Sequence, residues 1–104
     1  MSYYLVTAKP IPEKLTELRQ WLDSGEIRAM NPFGSSLHRG LDQARWQSED
    51  SAIWEEEDYC VPPLAQERAA VLDEYFTDLK VELVERNKGW RRIESLPRVW
   101  PDKA

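Results

Sequence analysis

Few side chains in this sequence could carry chemistry: one histidine, one cysteine, a run of four acids, and a final stretch interleaving arginine with tryptophan. His38 is the only group whose ordinary pKa lies near neutrality, and it stands beside Arg39 and four residues before Asp42. As a catalytic pair, His38 would move a proton and Asp42 would orient the ring. The simpler reading is a loop histidine hydrogen-bonded locally, and the absence of a surrounding motif favours it. Cys60 precedes Pro62 and Pro63, where a helix is expected to start, and a helix N-terminus depresses a thiol pKa. The acids before it act in the opposite direction, and a free cysteine is most often an inert apolar side chain.

Glu55, Glu56, Glu57 and Asp58 invite comparison with hard-cation sites, which take carboxylate oxygens. On a strand, successive side chains point to opposite faces, so Glu55 and Glu57 cannot converge with Glu56 and Asp58. A solvated edge or an ion-paired face is the expectation. One cysteine and one histidine fall short of a structural zinc set, and none of the four glycines fits a phosphate loop or a nucleophile elbow, so no metal and no cofactor is expected. Arg86, Lys88, Arg91, Arg92 and Arg98 interleave with Trp90 and Trp100. Such a mixture can stack on single-stranded nucleic acid, or pair with acidic groups of this molecule or a neighbour. The net charge of -5 repels phosphate backbones and favours the second reading. Trp90, Arg91, Arg92 and Trp100 are therefore the candidate partner-binding residues, since tryptophan and arginine are enriched at protein interfaces.

The elements that must position these residues follow from periodicity. Tyr3, Tyr4, Leu5, Val6, Thr7 and Ala8 read as a strand, apolar on both faces and so central in its sheet. Pro12 opens a helix carrying Leu15, Leu18 and Leu22 on one face, and Gly25 ends it. Residues 26–40 read as a long connection, rich in turn pairs such as Asn31-Pro32. From Leu41 a strand is expected, turning at Asp50 into a second strand that contains Trp54. The register that puts like side chains on like faces sets Trp46 opposite Trp54 and Arg45 opposite Glu55. That leaves one face polar and open, as solvent surface or a polar dimer cavity. A helix from Pro63 to Phe76 should bury Ala65, Ala69, Leu72 and Phe76 together. Leu79, Val81 and Leu83 alternate with Lys80 and Glu82 as a further strand, Asn87-Lys88-Gly89 turns, and Trp90 to Ile93 returns as a short strand before an extended tail.

With 104 residues, 41% hydrophobic and 32% charged, the chain fits one domain with its own core: residues 1–86 form it and residues 87–104 are an appendage. No stretch has the basic start and apolar length of a signal peptide, nothing approaches a membrane span, and one cysteine suits a reducing compartment, so the cytoplasm is expected. The fold class is α+β: a β-α-β-β-α-β order closing into a four-stranded antiparallel sheet with both helices on one face.

In this order of elements, carried by residues 3–8, 12–24, 41–57, 63–76 and 79–86, the chain resembles ferredoxin-like proteins and, among them, the dimeric α+β barrel proteins. That group hosts binding proteins, regulators and enzymes alike. The resemblance implies a homodimer, and small enzymes of the group pair a histidine with an acid. Two readings follow. One is a non-enzymatic binding or protein-interaction module, homodimeric through apolar surface left by Trp90 and Trp100. The other is a cofactor-independent small-molecule enzyme using His38 as acid or base in a pocket between sheet and loop.

Overall fold

The computed structural model describes residues 2–101. β1 (Ser2–Pro10) is followed by a 3-10 turn (Pro12–Lys14) and α1 (Leu15–Ser24). Gly25, at φ 84°, ends α1, and its N–H returns to the Leu22 carbonyl, a conformation that a residue without Cβ adopts at little cost. Then come α2 (Gly34–Asp42), β2 (Arg45–Trp46), β3 (Ala52–Asp58), α3 (Ala65–Glu67), a π-helical stretch (Arg68–Leu72), α4 (Asp73–Tyr75), β4 (Phe76–Val84) and α5 (Lys88–Ile93). The sheet is antiparallel throughout, in the order β2-β3-β1-β4. β1 is central, as its two apolar faces require.

Each face of the sheet has its own core. Val6, Ala8 and Trp54 pack beneath Leu18 and Leu22 of α1, Leu37 and Leu41 of α2, and Val71, Leu72 and Tyr75 of the 65–75 helix. Leu5 and Ile53 pack on the other side against Ile93 of α5. The face expected to stay open is therefore covered. Lys88 to Ile93 is helical, where a return strand was expected, and the cause lies in β3: Glu55 accepts the N–H groups of Asn87 (2.9 Å), Gly89 (2.8 Å) and Trp90 (3.2 Å), capping the first turn.

Residues 34–42 form a helix, not part of a connection, and Leu41 belongs to it instead of opening a strand. The helix lies close on β3 because Gly40 has no Cβ: one built there would meet Trp54 Cδ1 at 2.6 Å. The hairpin forms, but two residues out of the expected register: Trp46 faces Ala52 and Arg45 faces Ile53. The turn is tighter than expected, closed by the Gln47 N–H on the Ser51 carbonyl at 2.8 Å. Trp46 and Trp54 keep one face, because a shift of two preserves the alternation. The expected Arg45–Glu55 pair does not form. Arg45 Nη1 instead donates to the carbonyls of Glu94 and Leu96, and Glu55 caps α5. In the 65–75 helix the π turn rotates the buried side, so Glu67, Val71, Leu72 and Tyr75 face inward and Ala69 is exposed. The tail runs extended beside β2, with Val99 N–H on the Ala44 carbonyl and Trp46 N–H on the Pro97 carbonyl. Its last residues, 102–104, lie outside the described range. Among the described residues no helix is long and apolar enough to cross a membrane.

Candidate functional site

Alternation along β3 sends Glu55 and Glu57 to the α5 side and Trp54, Glu56 and Asp58 to the side of the large helical layer. On the α5 side a groove runs between α2 and α5. One part, of about 220 Å³, is lined by Tyr3, Ser35, Ser36, Arg39, Arg86, Asn87 and Trp90 over Glu55 to Glu57. A second part, of about 420 Å³, shares Arg39, Asn87 and Trp90 and adds Gln43, Arg45, Arg91 and Glu94. Gly89 sets how close α5 lies to the sheet: a Cβ there would meet Glu55 Oε1 at 2.8 Å and Leu5 Cδ1 at 3.1 Å, so only glycine lets α5 sit this low.

Four arginines, Arg39, Arg45, Arg86 and Arg91, line the groove together with four acids, Glu55, Glu56, Glu57 and Glu94. Arg39, Arg86 and Arg91 are exposed and take part in none of the ion pairs among the described residues. The acids below them are occupied: Glu55 by three backbone N–H groups, and Glu57 by the hydroxyls of Tyr3 (3.3 Å) and Tyr59 (3.4 Å). Burial pushes the Glu56 carboxyl well above its usual range, against the Trp54 indole N–H that donates to it at 2.9 Å. An arginine-rich rim around a tryptophan ring remains, with Glu94 at the end of α5.

On the other face of β3, Glu56, Asp58 and Glu67 form a buried acid cluster beside Cys60. Glu67 is raised to about 7, by burial first and then by Asp58. Burial opposes ionisation of Asp58 as well, but hydrogen bonds from the Glu67 carboxyl and from the Leu64 (2.6 Å) and Cys60 (3.1 Å) N–H groups hold it low. At Cys60 a backbone hydrogen bond from Gln66 favours the thiolate. Burial and the charges of Asp58 and Glu67 outweigh it, and the thiol is pushed up.

The residues picked out from sequence fall in three places. Trp90 and Arg91 line the groove. Arg92 points elsewhere, to Glu82 of β4 at 2.7 Å. Trp100 lies on the helical side, donating to the Leu41 carbonyl at 2.9 Å with the Arg19 guanidinium over its ring. His38 is buried on α2 instead of sitting in a loop, and Asp42 is held by Arg19 at 3.1 Å and Gln43 at 2.9 Å. Neither lines the groove. Arg39 and Arg86 were missed as site residues, because the first belongs to a helix read as a loop and the second was grouped with its sequence neighbours. No protein family, curated protein or solved structure matches this chain, so what the groove does is read from its own geometry.

Proposed function

We propose that this protein is a non-enzymatic binding module, homodimeric, that receives an acidic segment of a protein partner in the groove around Trp90. One observation carries the reading: three exposed guanidinium groups, with no ion pair among the described residues, surround an aromatic ring in a molecule of net charge -5. Arginine binds carboxylates through a planar fork of donors, and the half-buried indole offers apolar area beside them. The groove is open to solvent, which suits a peptide segment better than an enclosed small molecule. The sheet order β2-β3-β1-β4 and the helices packed on one face support a ferredoxin-like reading of the fold. α5 on the second face and the two-residue β2 are departures from it. A single cysteine fits a reducing compartment, the cytoplasm.

The test is a titration with hexaglutamate peptide, followed by tryptophan fluorescence. A saturable change that weakens with added salt is expected, absent in W90F and lost in R39A/R91A. No change, or a change indifferent to the arginine replacements, would refute the groove as the binding surface.

A further inference from the structure

On the opposite side of β3, Asp58, Cys60 and Glu67 line no part of the groove. We propose that Asp58, Cys60 and Glu67 form a binding site for a divalent cation of the zinc class. One ligand atom from each, two carboxylate oxygens and Sγ, lie within 4.8 Å of one another. Three segments deliver them: the end of β3, the loop after it, and α3. Their spacing in sequence matches no zinc motif, and they converge because Asp58 folds that loop back on itself by accepting the N–H groups of Cys60 and Leu64.

A second observation points to a positively charged occupant. Glu67 Oε2 and Glu56 Oε2 belong to side chains only 0% and 2% exposed, and no donor among the described residues reaches either atom, while Glu67 Oε1 accepts from Cys60 Sγ at 3.8 Å. Glu67 lies within hydrogen-bonding reach of Asp58 and Glu56. Carboxylates facing one another in a dry interior have two ways to be satisfied, a shared proton or a cation. A proton links two oxygens, whereas a cation serves both carboxylates and the sulfur together.

The donor set selects the metal class. Calcium and magnesium take oxygen ligands alone, while a thiolate with carboxylates suits zinc and its spectroscopic substitute cobalt. The cluster opens on a cleft of about 160 Å³ lined by Ser35, Ser36, Asp58, Cys60 and Gln66, which leaves a fourth coordination position to water. Binding releases the Cys60 thiol proton and the Glu67 carboxyl proton to solvent, so all three donors bind as anions.

The experiment uses the full chain, stripped with chelator and titrated with Co²⁺. The expected result is a thiolate-to-cobalt charge-transfer band that saturates at one equivalent, and its loss in C60S. Zn²⁺ at a hundredfold excess over its Kd should raise Tm by about 10 °C, an increase that shrinks in E67Q. Both replacements are close in size to the native side chain, and far-UV circular dichroism checks that each variant folds. No charge-transfer band, a band that persists in C60S, or a Tm that ignores Zn²⁺ in the unmodified chain would each overturn the site.

Discussion

Glu55 and Glu67 are both buried carboxylates, and their surroundings treat them in opposite ways. Glu55 accepts three backbone N–H groups at the start of α5. Replacing it with alanine strands those donors, and E55A should lose about 3 kcal/mol in urea unfolding, against less than about 0.5 for the exposed control E85A. A loss in E55A no larger than the control's would show that α5 does not need its cap. Glu67 instead faces Glu56, Asp58 and Cys60, and its pKa is raised to about 7. Its sign follows from linkage: between the ordinary 4.5 and about 7 the unfolded chain has given up this proton while the folded chain keeps it. Stability therefore falls as pH rises through that window in chelator-treated protein, and Glu56, also raised, acts in the same direction. Asp58, held low, acts only at more acid pH, where its stabilising contribution is lost. E67Q should flatten the slope between pH 5 and 7; a slope unchanged in E67Q would place its origin elsewhere. Strand alternation read from sequence separated Glu55 and Glu57 from Glu56 and Asp58. It did not reveal what each pair meets, because Gly89 lies 34 residues beyond Glu55 and Glu67 is brought back to β3 by the fold of the loop after it.

The same limit operates on whole elements. β1, α1, the 65–75 helix and β4 were legible because each carries its own period and its own stop signals. α2 and α5 were not. Gly34, Ser35, Ser36 and Gly40 are poor helix formers, and Leu37 and Leu41 carried the periodic signal almost unaided. What makes α2 worth its poor propensity is contact with β3, through Gly40 over Trp54. G40A tests which effect is larger. Alanine gains about 1 kcal/mol of helix propensity but drives a methyl into a fully buried indole, an overpacking cost of about 2. A net loss of about 1 kcal/mol is expected, with a shifted tryptophan emission; a gain in stability would mean that α2 has room to lift. α5 hid for a related reason. Asn87-Lys88-Gly89 reads locally as a turn, and the carboxylate that makes it a helix start belongs to β3, 34 residues before Gly89.

At the scale of the molecule, the expected route to a dimer has to change. Trp90 and Trp100, thought to leave apolar surface for a second copy, pack against the protomer's own core. The exposed apolar side chains instead include Val81 and Leu83 on β4, which is an edge strand of the sheet with one side free to pair. Its sequence is complementary to itself. In an antiparallel pair of two β4 strands with the twofold at Val81, Lys80 faces Glu82 of the other copy, Leu79 faces Leu83, and Val81 meets its equivalent. Each cross-strand pair is then favourable, and the continuous eight-stranded sheet covers the β4 edge of each copy. K80E sets carboxylates opposite one another in both copies, and E82K does the same with ammonium groups. The double variant K80E/E82K restores opposite charges with the sense reversed. Glu82 also meets Arg92 within the protomer, but that pair is exposed on both sides and contributes little to folding. Light scattering at micromolar concentration should report a dimer for the unmodified chain, monomers for both single variants, and a dimer again for the double. A monomer from the unmodified chain removes the homodimer altogether, and dimers that persist in the single variants move the interface away from β4.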